Sequence, residues 1–278
     1  MRTNKSNRDE EVIAGFGDEW HRFDQGELLQ SDRATIFEDY FSIFPWSMLP
    51  NNAVGADIGC GSGRWALLAA PRVGVLHCVD PSGALEVAKS NLAKLTNVKF
   101  HRAAVDDLPF PDCSLDFAYC LGVLHHVPDT AAAICNVAAK LKPGAPLLLY
   151  LYYAFDNRPR WFRLLWSISD IVRRLVSRLP NNLRYAVSQV LAVLVYWPLA
   201  KSAQFLEHLG HLPKSWPLAY YRDKNFYVMR TDALDRFGTR LEHRFSRTQI
   251  HNMLETAGFH RISFAEHVPY WCCVGIKA

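Results

Sequence analysis

Five short apolar runs separated by helix-like stretches dominate the chain between Val54 and Tyr153. Residues 54–58, 74–79, 98–100, 115–120 and 146–153 are short and rich in apolar residues, as buried strands are. The stretches 64–70, 84–95 and 130–141 between them read as helices, the last stopped by Lys142, Pro143 and Gly144. Strands that alternate with helices at this spacing imply a parallel, doubly wound sheet with helices on its faces.

The first strand runs directly into Gly59-Cys-Gly61-Ser-Gly63, with Asp57 just ahead of it. Lacking a Cβ, glycine takes positive φ and lets backbone N–H groups approach a ligand closely. In an open α/β sheet, a glycine turn between strand and helix is where nucleotide-like cofactors sit. The dinucleotide fingerprint G-x-G-x-x-G fails, because Arg64 occupies the place of its third glycine. Asp80 ends the second run about 20 residues later, where an acidic side chain accepts ribose hydroxyls. Because Pro81 and a helix follow, capping that helix is the competing role for Asp80.

The run Asp57, Gly59, Gly61 and Gly63 resembles motif I of class I S-adenosyl-L-methionine (SAM)-dependent methyltransferases, and Asp80 matches motif II. Residues 103–112 resemble the adenine loop of that family, with one departure: Ala104 stands where the acid usually sits. The resemblance leaves the adenine contact to Asp106, two positions late, or to the backbone around Val105. Residues 116–129, which include Leu121, His125 and His126, resemble motif IV, whose strand end lies beside the methionine part of SAM. The resemblance covers 54–153 and 244–277. It implies SAM as cofactor, held without metal by Asp57, Gly59, Gly61, Gly63, Asp80, Val105, Asp106 and Leu121. It also implies an α/β, Rossmann-like seven-stranded sheet whose last strand is antiparallel. An N-terminal helical cap and a helical insertion after strand five complete the expected fold.

In such a reaction the cofactor supplies the electrophile, and the protein aligns the nucleophile and excludes water. An alcohol, phenol or acidic carbon also needs a base. His125 and His126 are the catalytic candidates, since imidazole titrates near neutral pH. Tyr152, Tyr153, Tyr227, Asp232 and His243 are weaker candidates. Trp20 and Phe23 either close over the site or belong to a core.

The expected organisation is a cap over 1–50 whose first dozen residues are disordered, and a SAM-binding core over 51–154. A helical insertion or substrate lid follows over 155–240, and the core resumes over 241–278. Within the insertion, residues 160–179 carry Trp161, Leu164, Ile168, Ile171 and Leu175 on one helical face. Arg160, Arg163, Arg173, Arg174 and Arg178 fall largely off that face. A basic amphipathic helix of this kind can lie on an anionic membrane, or it can pack its apolar side inside a substrate-binding subdomain. Residues 185–200 are uncharged but short of the ~20 needed to span a bilayer, so a buried helix is expected there.

The net charge of +4 has no basic tract behind it, so nucleic acid is not an expected partner. Seven cysteines without a C-x-x-C pair suit thiols in a reducing cytoplasm, and the polar N-terminus does not read as a secretory signal. The expected protein is cytoplasmic, with membrane association as an option, and methylates a small or lipid-like acceptor at O, C or N. The rival expectations are a SAM-binding scaffold without turnover and a methyltransferase acting on a macromolecule.

Overall fold

The structure, a computed structural model, describes residues 6–278. The disorder expected over the first dozen residues falls partly on 1–5, outside the described residues. It does not hold beyond them, because residues from Glu10 onward form a capped helix. This helix, α1 (Glu10–Arg22), starts at Asp9, whose carboxylate accepts the N–H groups of Glu11 and Val12 at 3.0 and 3.1 Å. Helix α2 (Gln30–Phe41) follows.

The sheet has seven strands: β1 (Val54–Ile58), β2 (Val75–Val79), β3 (Val98–His101), β4 (Phe117–Leu121), β5 (Pro146–Tyr150), β6 (Phe259–Phe264) and β7 (Cys272–Lys277). Their order is β3-β2-β1-β4-β5-β7-β6. The pairs among β1–β5 are parallel, and β7 runs antiparallel between β5 and β6. This is the seven-stranded Rossmann-like sheet expected from the sequence. Strand order reverses between β1 and β4, so the crevice beyond their C-terminal ends is where such a sheet binds ligands.

The helices that connect the strands are α3 (Ala66–Ala69), α4 (Ala84–Asn91), α5 (Thr130–Lys140) and, before β6, α10 (Arg247–Thr256). Helix α3 is shorter than expected and tightens into a 3-10 turn over Ala70–Arg72, where Pro71 interrupts the ladder. Alternation along the strands divides the side chains between the sheet's two faces. Ile58, Cys120 and Leu149 join Ile134 and Leu254 in one buried cluster. Asp57 and Tyr119 point to the opposite face, where Phe41 of α2 meets the Tyr119 ring edge-on at 5.1 Å.

The chain divides into two compact units. Of the described residues, one comprises 6–24, 34–154 and 241–278; the other comprises 25–33 and 155–240. Residues 25–33 therefore belong with the second unit, not with the N-terminal cap in which the sequence placed them. The second unit contains α6 (Arg160–Val176), α7 (Asn181–Leu191), α8 (Trp197–His208) and α9 (Phe226–Gly238). Its buried centre includes Val176, Ala192, Tyr196, Met229, Ala233 and Phe237.

Two expectations for this unit are corrected. Residues 185–200 do not form a separate buried helix. They lie inside a continuous 28-residue helix, Asn181–His208, whose apolar window is only 28% buried. Length and composition make this helix long and apolar enough to cross a membrane. A π-helical turn over Ala192–Tyr196 joins α7 to α8 just ahead of Pro198. The wider turn accommodates the carbonyl that a proline ring would otherwise meet four residues earlier. The second correction concerns α6, whose apolar face points outward, while Asp170 and Arg173 are each only 5% exposed.

Candidate cofactor and active site

The glycine turn is shaped by what crosses it. A Cβ on Gly59 would lie 2.5 Å from Cγ2 of Val123, and Gly59 has φ +76°. Gly61, at φ +53°, lies under the Trp20 indole, 2.9 Å from where its Cβ would be. Both positions demand glycine on conformation and on space. Arg64 lies over the rings of Trp20 and Trp65 at 5.2 and 4.3 Å, which ties α1 to the turn. Phe23 is 1% exposed and belongs to the core, so Trp20 alone of the two covers the turn. Gly63 N–H donates to Cys60 O at 2.8 Å and closes the turn on itself.

Asp80 organises the turn from β2. Its Oδ2 accepts Gly61 N–H at 2.9 Å, and its Oδ1 accepts the N–H and hydroxyl of Ser82 at 2.8 and 2.6 Å. A carboxylate has about four lone-pair sites, so Asp80 retains capacity for one further donor, on Oδ2. It does not cap α4 directly; Ser82 accepts the Ala84 N–H instead.

Asp57 is buried beside it. Burial raises its carboxyl to about 8, and Asp80 adds to that, while Tyr119 and Arg64 oppose it. Asp57 Oδ2 and the Tyr119 hydroxyl have no hydrogen-bond partner of good geometry. An unsatisfied buried acceptor at the end of β1 suits a cationic donor such as the ammonium of an amino acid. Gly122, just past Leu121 at the end of β4, has φ +79° and open space within 4 Å of where a Cβ would stand. The residues present therefore fit SAM. Asp57 would meet the ammonium and Asp80 one ribose hydroxyl, with room beyond Leu121 for the sulfonium end.

The adenine loop differs from what the sequence suggested. Asp106 is engaged by the N-terminal segment: it accepts the Asn7 N–H at 3.0 Å and ion-pairs with Arg8 at 2.9 Å. Burial pushes its carboxyl up, but these hydrogen bonds outweigh burial and hold it below the ordinary range. Asp106 is therefore a clasp for residues 6–8 and has little left for an adenine amine. Asn7 also exchanges two 2.8 Å hydrogen bonds with the backbone of Asp129. The N-terminal segment thus bridges the loop after β3 and the loop after β4, a role the sequence did not reveal. The side chain of Val105 packs into the core, which leaves only its backbone to face a ligand.

The two histidines follow β4 in a 3-10 turn, and both are buried. His125 stacks on Tyr152 with ring centroids 3.8 Å apart, and its Nδ1 accepts the Tyr152 N–H at 3.4 Å. Burial, followed by the nearby His126, Arg244 and His243, keeps the His125 imidazole neutral well below its ordinary range. With Nδ1 as acceptor, the proton of His125 resides on Nε2, so that atom is a donor. His126 has the opposite tautomer. Its Nδ1 lies 2.7 Å from the carbonyl of Leu241, which only accepts, so Nδ1 carries the proton and Nε2 the lone pair. Phe16 and Tyr152 flank the His126 ring at 5.0 and 5.5 Å. Among the weaker candidates, Tyr227 receives the Gln25 N–H and Asp232 accepts the Tyr221 hydroxyl, both within the second unit.

Residues 56–149 match the family model described as a methyltransferase domain. Among curated proteins, the chain is 36% identical over 104 residues to an uncharacterized methyltransferase of Bacillus subtilis, covering 36% of this chain and 41% of that one. It is 33% identical over 104 residues to the 27-O-demethylrifamycin SV methyltransferase of Amycolatopsis mediterranei, covering 34% and 36%. It is 34% identical over 92 residues to the demethylmenaquinone methyltransferase of Staphylococcus aureus, covering 32% and 38%. The matched segment thus spans roughly two fifths of each relative's length. Among solved structures, a chain in the complex of the Haloferax volcanii Trm112 methyltransferase activator with a methyltransferase shares the fold. Its TM-score is 0.51 at 14% identity, covering 97% of this chain and 98% of that one. Residues 56–149, which hold the glycine turn and Asp80, therefore belong to a class I SAM-dependent methyltransferase domain, and SAM is the cofactor of that domain.

Proposed function

We propose that the protein transfers a methyl group from SAM to a small, largely apolar acceptor through an acidic O–H, or a C–H made acidic by a neighbouring hydroxyl. The observation that carries this is the tautomer of His126. Its Nδ1–H is committed to Leu241 O, so Nε2 is a base. An amine acceptor in its free form needs no such base, whereas a phenol or enol does. When bound, SAM supplies an electrophilic methyl on a sulfonium. The chain's own residues hold and orient it, and His126 takes the acceptor's proton on Nε2. His125 presents Nε2–H and suits a hydrogen bond to an acceptor oxygen. Aromatic rings around the pair, Phe16 and Tyr152, provide a dry wall for a flat apolar molecule. Two relatives are named for 27-O-demethylrifamycin SV and for demethylmenaquinone as what they methylate.

The test is turnover with SAM against a panel of phenols, hydroquinones and amines, read by mass spectrometry for the gain of one methyl. Methylation of phenol or hydroquinone is expected. His126→Gln should lower kcat by about 10²–10⁴ while SAM affinity stays unchanged. Activity confined to amines, or an unchanged kcat in the variant, would overturn this assignment. A scaffold without turnover is the rival, because the adenine loop has Ala104 in place of the acid and Asp106 is already engaged. SAM binding without methylation of any acceptor in the panel would favour it.

A further inference from the structure

Helix α6 has its polarity reversed relative to a helix packed on a soluble core. Leu164, Ile171 and Leu175 are 64%, 61% and 63% exposed, with Trp161 and Ile168 outward on the same face. The inward side holds charge instead. Arg173 donates to Asp170 Oδ1 at 2.7 Å and to the backbone carbonyl of Thr239 at 2.8 Å. At 100° per residue the exposed apolar residues fill one arc, and Arg160, Arg163, Arg174 and Arg178 line one flank of it. A second apolar stripe, with Val190, Val193, Leu194 and Trp197, is exposed along α7 and α8.

The charge around these stripes is mostly of one sign. From Arg160 to His208 the sequence holds seven basic residues (Arg160, Arg163, Arg173, Arg174, Arg178, Arg184 and Lys201) against two acids, Asp170 and Glu207. Asp170 is buried and satisfied by Arg173 and Arg174, and Glu207, at the far end of the helix, ion-pairs with Arg222. The exposed part of this stretch therefore combines large apolar side chains and two tryptophans with the exposed arginines Arg160, Arg163 and Arg178. We propose that α6 docks the protein on an anionic lipid bilayer, lying in the interfacial plane with its apolar face in the acyl boundary. Its flanking arginines then meet lipid phosphates. The helix Asn181–His208 contributes its stripe in the same interfacial manner and does not span. Its opposite side carries Arg184 and packs through Ala192, Tyr196 and Ala200 on Met229, Ala233 and Phe237 of α9.

The test uses the full chain and two sets of vesicles: phosphatidylcholine alone, and phosphatidylcholine with an equal part of phosphatidylglycerol. Co-sedimentation with the anionic vesicles, weakened by salt, is expected. Ile168→Asp with Ile171→Asp should abolish it. Replacing Arg160, Arg163 and Arg178 by Glu should weaken it by on the order of a hundredfold or more. Thermal melting and SAM binding of each variant show that the fold persists, since all five side chains are exposed. A well-folded wild-type chain that fails to sediment with anionic vesicles overturns the proposal. So does a stable dimer in which the same apolar substitutions yield monomers with no change in vesicle binding, because the face is then an interface between copies.

Discussion

With Asp57 as the contact we propose for the ligand's ammonium, SAM binding should depend on pH. The carboxyl titrates near 8, chiefly because it is buried, and it must be ionised to accept the ligand's ammonium. At pH 6 about 1% of the protein has that carboxylate and at pH 7 about 9%, so the observed affinity should rise close to tenfold between them. The free-energy cost of removing the proton at pH 7 is about 1.4 kcal/mol. The ligand's own amine, with an ordinary pKa of roughly 7.7–8.0, stays largely cationic over this interval and contributes little slope. Calorimetry of SAM or its demethylated product, in buffers of different ionisation enthalpy, reads both quantities. Nearly one proton should leave per ligand bound at pH 6–7, and Asp57→Asn should remove both the release and the slope. An affinity that is flat from pH 6 to 7 with no buffer-dependent heat would refute the reasoning.

The same shift has a stability consequence of fixed sign. In the unfolded chain Asp57 ionises near 4, whereas in the ligand-free fold it keeps its proton to about 8. The fold therefore binds a proton that the unfolded chain has lost, and this residue's contribution to stability falls as pH rises from about 4 to 8.

Two further substitutions examine the packing around the turn and the inner face of α6. Gly59→Ala places a methyl 2.5 Å from Val123 Cγ2 at φ +76° and should cost about 1–3 kcal/mol in chemical unfolding. Val123→Ala in the same chain should restore part of that; a Gly59→Ala chain as stable as the parent contradicts the geometry. Arg173→Ala leaves Asp170 buried beside an exposed Arg174 and should cost about 3–5 kcal/mol, whereas Arg163→Ala should change stability by less than about 0.5 kcal/mol. Equal effects in urea melts would mean that α6 does not present the faces described.

The sheet was legible because its signals are local and redundant. Apolar runs, helix stops and glycines recur at the spacing that a parallel sheet requires, so the five parallel strands β1–β5 were found to within a few residues. Asp80 could be placed at the glycine turn, where it accepts the Gly61 N–H, because its spacing from the turn is itself the signal. What escaped were contacts whose two halves lie far apart in the chain. Nothing near Asp106 announces that Arg8 will hold it, and nothing near His126 announces the carbonyl of Leu241 that sets its tautomer. Which nitrogen of His126 keeps its lone pair depends on that carbonyl.

The insertion shows a different kind of limit. Its periodicity correctly predicted a helix over 160–179 and correctly sorted leucines from arginines around it. Amphipathicity, however, defines an axis without saying which end points inward. Water ordinarily decides that, and an apolar face turns in unless something other than water meets it. Within α6 the choice was made by Asp170 and Arg173, a buried pair whose guanidinium also donates to the carbonyls of Thr239 and Arg240 from inside the unit. Once those charges are committed inward, the helix must present Leu164, Ile168 and Ile171 to its surroundings. The bilayer we propose would supply the apolar medium that such an uncovered face calls for, and the arginines beside that face match a medium with negative charge.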